Sequence, residues 1–176
     1  MSLFCCPLCA APLEKTDRTY RCPRGHSFDR AREGYVHLLP ANRMHSKAPG
    51  DDKAMAAARN RFLSGGWYAP LRDALCRLAV DHAPARPAVL DSGCGEGYYT
   101  AGVWAALAAA GKPPETAGVD LSKPSLRWAD VYKRQDLPRS CRCPIIDWRH
   151  PGFQKGLQSG FVCVMLKKQD SLLTCL

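Results

Sequence analysis

Apolar and polar stretches alternate between residues 85 and 129 in a way that predicts strands and a helix. The short apolar segment 88–90 precedes a glycine-rich turn, the longer apolar stretch 98–110 follows that turn, and residues 116–120 form a second short segment. Short apolar runs bounded by turn residues are typical of buried strands, whereas longer runs are typical of helices. The order strand, helix, strand predicts an α/β fold with a doubly wound parallel sheet.

Two further helices are predicted within residues 41–84, which we interpret as a helical linker. The first begins at Asp51 or Asp52, since either carboxylate can accept hydrogen bonds from free backbone N–H groups, and it ends before Gly65 and Gly66. The second spans residues 69–81. Its apolar side chains share one helix face, and they are Leu71, Leu75, Leu78 and Ala79.

Residues 1–40 form a separate module with paired metal-ligand residues and only short extended segments, at 18–21, 27–29 and 33–40. Cys6 and Cys9 are one pair, and Cys22 and His26 form a second pair after twelve intervening residues. Three thiolates and one imidazole at this spacing are typical of a tetrahedral, structural zinc site. We therefore predict an N-terminal zinc ribbon, whose folding free energy would come largely from the metal, on the order of 10 kcal/mol.

Two points at the predicted zinc site are open on sequence alone. Cys5 adjoins Cys6, although only Cys6 has the two-residue gap to Cys9. The alternative to a zinc site is two unrelated cysteine pairs, with His26 as an ordinary surface residue.

The formal net charge of +9 is distributed unevenly along the 176 residues. Residues 1–50 hold eight Lys and Arg against four Asp and Glu, and residues 131–176 hold eight against three. The basic first fifty residues favour an anionic partner such as RNA, but only weakly. No run approaches the roughly 18 apolar residues of a membrane span, and the N-terminus lacks signal-peptide features, so we expect a cytoplasmic protein.

The glycine-rich turn after residue 90 predicts a nucleotide-like ligand. It places Gly93, Gly95 and Gly97 between a strand and a helix, where a missing Cβ lets a ligand approach the backbone. A dinucleotide-binding turn would have its third glycine at position 98, which is Tyr98. The observed order instead favours S-adenosyl-L-methionine, and Asp120 lies where a carboxylate can accept hydrogen bonds from both ribose hydroxyls.

These motifs are similar, over roughly the first 125 residues, to the bacterial 23S ribosomal RNA guanine-N1 methyltransferase family. Besides the cysteine pairs, the segments that carry the resemblance are residues 32–40, 49–51 and 90–100. The resemblance implies methyl transfer from S-adenosyl-L-methionine to N1 of a guanine in a 23S rRNA hairpin, with the zinc module helping to hold the RNA. Neither the motifs nor the resemblance identify the general base, so no catalytic residue is assigned.

The predicted cofactor site combines the glycine turn with positions that the resemblance implies. The resemblance places a linker tyrosine and the Gly95-Glu96 pair against the cofactor. The complete predicted set is Tyr68, Asp91, Gly93, Gly95, Glu96, Gly97 and Asp120. Other roles stay open: Tyr68 can anchor the two linker helices, Glu96 can interact with the helix macrodipole, and Asp91 can orient the turn through backbone N–H groups.

The resemblance fades after Lys123, and residues 130–135 are what a common sequencing adapter encodes when translated. We therefore expect residues 85–129 to be the start of a truncated, Rossmann-like methyltransferase domain and residues 130–176 to be a non-native tail without periodicity, except at 160–166. The strand at 88–90 would then lack a partner on one edge. On this interpretation the chain as given does not methylate RNA.

Two classes of function remain open on sequence alone. The first is an RNA methyltransferase, and the second is a non-catalytic zinc-ribbon fragment that binds RNA. A methyltransferase for small molecules is less favoured, because a zinc module has no obvious use for a small substrate. The sequence carries no signal for or against a homodimer.

Overall fold

The structure is a computed structural model that describes residues 4–39, 46, 49–135, 144–145 and 161–165, with side chains described up to Ala129. These residues form an antiparallel N-terminal ribbon, a helical linker and a parallel sheet with helices. The predicted α/β class with an N-terminal ribbon is confirmed. None of the helices among these residues is long and apolar enough to cross a membrane.

The ribbon consists of three short antiparallel strands in the order β1-β2-β3, which are Glu14–Lys15, Thr19–Arg21 and Ser27–Asp29. The second and third were predicted, and the first was not. Tyr20 in β2 is buried and its ring meets that of Phe4 edge to face, with the centroids 6.2 Å apart. The chain leaves the ribbon through β4, Val36–His37, which pairs in parallel with β7, Pro144–Ile145.

The linker contains helix α1, Lys53–Ser64, and helix α2, Ala69–His82. Asp52 caps the first helix, since its carboxylate accepts a hydrogen bond of 2.8 Å from the amide of Met55. The predicted apolar face of α2 is packed only in part, because Ala79 is buried whereas Leu71 and Leu78 are 43% and 53% exposed. Cys76 and Val80 of the helix pack in the same cluster as Ala79, together with Ala83 directly after the helix.

The parallel sheet has the order β6-β5-β8, with strands Glu115–Val119, Ala88–Ser92 and Phe161–Met165. Helix α3, Tyr98–Ala109, connects β5 to β6, and helix α4, Lys123–Gln135, follows β6. The expectation that β5 lacks a partner on one edge is wrong, because β8 pairs with it in parallel over five residues. Helix α4 also continues past residue 130 to Gln135. The expectation that the tail lacks periodicity is therefore wrong for these residues.

The ribbon and the sheet share buried side chains. One cluster joins Phe4, Leu13 and Tyr20 of the ribbon to Ala117 in β6. A second cluster joins Tyr35 and Leu39, which follow the ribbon, to Cys94 in the glycine turn and to Leu126 and Ala129 in α4. The packing therefore connects the zinc module directly to the turn that was predicted to bind a cofactor.

Candidate metal centre and cofactor site

Four predicted metal ligands converge at one end of the ribbon. The ligand atoms of Cys6, Cys9, Cys22 and His26 all lie within 4.8 Å of one another. Two tight turns bring them together: the amide of Ala10 donates to the carbonyl of Cys6, and that of Gly25 donates to the carbonyl of Cys22. Cys5 is exposed and does not belong to the cluster.

The distances between these atoms fit a tetrahedral zinc ion. An ion about 2.3 Å from each sulfur would separate two sulfurs by about 3.8 Å. The Sγ atoms of Cys9 and Cys22 are 3.7 Å apart, which is also far too long for a disulfide. Nδ1 of His26 lies 3.4 Å from Sγ of Cys6 and 3.3 Å from Sγ of Cys22. The donor set therefore suits a structural zinc ion.

The two buried thiols of the cluster titrate very differently. Burial raises the pKa of Cys6 to about 11. Burial also acts to raise the pKa of Cys22, but hydrogen bonds from the amides of His26 and Arg24 and from neighbouring side chains lower it to about 6. Because zinc binds thiolates, metal binding must displace the proton that Cys6 would otherwise keep at neutral pH.

The glycine turn lies at the carboxyl edge of the parallel sheet, between β5 and α3. The amides of Gly93 and Cys94 both donate to the carbonyl of Val119, at the end of β6. Gly93, Gly95 and Gly97 have φ angles of +84°, +54° and +87°. A Cβ on Gly95 would meet no heavy atom within 4 Å, so the backbone there faces open space. A ligand can approach the turn at this glycine.

Asp120 lies beside this turn, and both of its carboxylate oxygens accept backbone hydrogen bonds. Oδ2 accepts from the amide of Gly95 at 2.8 Å, and Oδ1 accepts from the amide of Ser122 at 2.7 Å. Burial raises the pKa of Asp120, although these two amides act to lower it. Each oxygen keeps a further lone pair with which a ribose hydroxyl can hydrogen-bond.

Asp91 is a buried carboxylate with one unsatisfied oxygen. Oδ2 accepts a hydrogen bond from the hydroxyl of Thr100, whereas Oδ1 has no hydrogen-bond partner among the described residues. Burial raises the pKa of Asp91 to about 6, and the negative charge of Asp120 adds to this effect. A donor group on a bound cofactor would satisfy the free oxygen, which is the observation in this structure that best fits such a group.

The remaining predicted cofactor residues lie around the same turn. Glu96 is buried and accepts a hydrogen bond of 3.3 Å from Asn60 of α1. Tyr68 is 43% exposed and its ring meets that of Phe62 edge to face at 5.4 Å, which fits the alternative role as an anchor between the linker helices. Burial raises the pKa of Tyr99, in the first turn of α3, and Tyr68 adds to this effect.

Sequence reasoning missed the residues that hold the turn from outside. Thr100 binds Asp91, Asn60 binds Glu96, and Ser122 binds Asp120 through its amide. Thr100 lies nine residues after Asp91, in the first turn of helix α3. The glycine turn brings the start of this helix back to the end of β5, where Asp91 lies. The segment 49–51 contributed to the resemblance, but no property of its sequence indicated a contact with Ser122.

Comparisons with known proteins found similar sequences among rRNA methyltransferases. Residues 4–47 match a zinc-ribbon family described as "RlmA, N-terminal". A 23S rRNA (guanine(748)-N(1))-methyltransferase from Streptomyces fradiae is 44% identical over 126 residues, which are 70% of this chain and 42% of that protein. A putative 23S rRNA (guanine-N(1)-)-methyltransferase from Micromonospora griseorubida is 39% identical over 144 residues, covering 70% of this chain and 46% of the relative.

The chain spans less than half the length of these two relatives. Among solved structures, geranyl diphosphate C-methyltransferase from Streptomyces coelicolor A3(2) is similar over 43% of this chain and 27% of its own. That similarity has 20% sequence identity and a TM-score of 0.33.

Proposed function

Because the chain belongs to the family of 23S rRNA (guanine-N1)-methyltransferases, we propose that it serves methyl transfer from S-adenosyl-L-methionine to N1 of a guanine in a 23S rRNA hairpin. One observation carries the proposal. The amide of Gly95 donates to Asp120 at the carboxyl edge of a parallel sheet, beside a backbone that faces open space. Ligands of doubly wound α/β sheets bind at this edge.

The cofactor-binding residues proposed are those predicted from the sequence. Gly93, Gly95 and Gly97 give the cofactor close access to the backbone, and Asp120 accepts hydrogen bonds from the ribose hydroxyls. The unsatisfied oxygen of Asp91 accepts a hydrogen bond from a donor on the cofactor. Glu96 and Tyr68 complete the site, at the start of α3 and of α2 respectively.

The zinc ribbon is proposed to hold the RNA. Its surface carries arginines that can contact phosphate groups, and these are Arg18, Arg21, Arg24, Arg30 and Arg32. The zinc ion has a structural role, because four protein ligands leave it no open position for substrate.

The main role of the protein in this reaction is to position the cofactor and the guanine. When bound, S-adenosyl-L-methionine supplies an already activated methyl group on its sulfonium. The protein must hold N1 of the guanine in line with that group and exclude water, and positioning supplies much of the reduction in barrier. N1 carries a proton at neutral pH, so a base or a path to solvent must accept it. No described side chain is assigned this role.

A methyl-transfer assay tests the proposal. The zinc-loaded chain is incubated with an unmodified 23S rRNA fragment and methyl-labelled S-adenosyl-L-methionine, and the RNA is digested to nucleosides. We expect the label in 1-methylguanosine. Strand β8 occupies the edge of β5 whose expected exposure was one reason to predict an inactive chain, and the assay tests that prediction as well. If both cofactor and RNA bind but no label is transferred, the chain is an RNA-binding fragment and the proposed activity is wrong.

A further inference from the structure

The linker segment directly before α1 lies on the loop that follows β6. Gly50 has a φ angle of +82°, and a Cβ placed on it would be 2.7 Å from the backbone nitrogen of Ser122. It would also be 2.9 Å from the Cα and Cβ of the same serine. Only glycine therefore lets the two backbones approach this closely, because contacts below about 3 Å force one of them to move.

Ser122 connects this contact to the cofactor site. Its hydroxyl donates to the carbonyl of Asp51 at 2.7 Å and accepts from the amide of Ser125 at 3.1 Å, while its own amide donates to Asp120 at 2.7 Å. The residue is 1% exposed, so these hydrogen bonds do not compete with water. One buried serine thus joins the linker, the start of α4 and the predicted ribose acceptor.

Helix α1 makes a second connection to the glycine turn. Its Asn60 donates to Glu96, and its Arg59 forms an ion pair with Asp51, which holds the segment before α1 against the helix. This ion pair also reaches the predicted ribose acceptor electrostatically: Asp51 acts to raise the pKa of Asp120, and Arg59 acts to lower it. The linker therefore contacts both loops of the predicted cofactor site, which are the glycine turn after β5 and the loop after β6.

We propose that the residues Gly50, Asp51, Arg59 and Asn60, which we call the linker clamp, position the two cofactor loops and thereby set the affinity for S-adenosyl-L-methionine. Ser122 is the positioning residue through which the clamp acts on Asp120, and Asn60 acts on Glu96. The inference rests on the proposed function, since it assumes that the cofactor binds at this turn. It adds that the linker is part of the binding site rather than a spacer.

A matched pair of glycine substitutions tests the clamp. Gly50→Ala places a methyl group against Ser122, whereas Gly111→Ala introduces the same strain at a φ angle of +73° with no heavy atom within 4 Å. Calorimetry with S-adenosyl-L-methionine on the full chain should give an affinity at least about fivefold weaker for Gly50→Ala, as for one lost buried hydrogen bond, and a wild-type affinity for Gly111→Ala. Zinc content and circular dichroism confirm that each variant is folded.

A double-mutant cycle separates positioning from a general structural role. Ser122→Ala and Asp120→Asn are measured singly and together. If Ser122 acts through Asp120, the double variant binds the cofactor no more weakly than Asp120→Asn alone. If the serine only stabilises the fold, the two losses add.

The outcomes distinguish this inference from the proposed function. Cofactor binding by the wild type, with equal affinities for Gly50→Ala and Gly111→Ala or with additive losses in the cycle, overturns the clamp and leaves the proposed function standing. No binding by the folded, zinc-loaded wild type overturns both.

Discussion

Asp91 is a buried carboxylate whose acid–base chemistry the fold alters strongly. Its pKa rises from an ordinary value of 3.8 to about 6, mainly because burial disfavours the charged form. A raised pKa means that the folded state binds the proton more tightly than the unfolded state does. The stability gained from this group is therefore complete below about pH 4 and is lost as the pH rises through about 6.

Asp91→Asn should remove this pH dependence. The amide oxygen can still accept from Thr100, but no charge is buried at neutral pH. We expect the stability of the variant relative to wild type to rise between about pH 4 and 6 and to stay constant above that range, by about 1.4 kcal/mol for each unit of pKa shift. Thermal unfolding of both proteins at several pH values measures the difference. A difference that does not change with pH would contradict the account.

Cys9 and Cys5 give a matched test of the metal site. Cys9→Ser removes one of the four converging ligands, whereas Cys5→Ser changes an exposed thiol outside the cluster. We expect wild type and Cys5→Ser to bind one zinc ion per chain, and Cys9→Ser to lose most of its zinc. Metal analysis after gel filtration is the measurement, and equal zinc content in the two variants would refute the ligand set.

At the scale of elements, folding of the zinc ribbon should affect cofactor binding at the glycine turn. Tyr35 and Leu39, which follow the ribbon strands, pack against Cys94 in the glycine turn. Ala117 of β6 packs with the ribbon core. Removing zinc unfolds small zinc modules, so these contacts would be lost with the metal.

We therefore expect a chelator to weaken binding of S-adenosyl-L-methionine by roughly tenfold or more, although zinc does not touch the cofactor. Equilibrium dialysis with and without the chelator measures this, and re-addition of zinc should restore the affinity. An unchanged affinity in the metal-free protein would mean that the two modules are independent.

The elements that sequence predicted well are those defined by local chemistry. The two cysteine pairs, the cap at Asp52 and the glycine turn each depend on residues close in sequence. The packed face of α2 was predicted only in part: Ala79 is buried as expected, but Leu71 and Leu78 are exposed, and the helix approaches α3 closely at Gly102. A Cβ on Gly102 would lie 2.8 Å from Cδ of Arg72, and such closeness cannot be read from hydrophobicity.

At the scale of the whole molecule, the contacts between distant segments were not predictable. Ser122 and Asp51 are 71 residues apart, and Asn60 and Glu96 are 36 apart. Neither pair carries a motif of its own, since a serine or an asparagine at such positions has many ordinary uses. The pairing of β8 with β5 was also missed, because the segment around it was interpreted as a non-native tail.

Binding of S-adenosyl-L-methionine at the glycine turn is the central claim, and calorimetry on three variants tests it most directly. Gly95→Leu fills the open space above the turn, Asp120→Ala removes the ribose acceptor, and Gly111→Leu makes the same change as the first at a distant glycine that also faces open space. We predict that wild type and Gly111→Leu bind alike, while Asp120→Ala loses about 1–3 kcal/mol and Gly95→Leu loses at least as much. Equal affinity in all four proteins, or no binding by the wild type, would contradict the account.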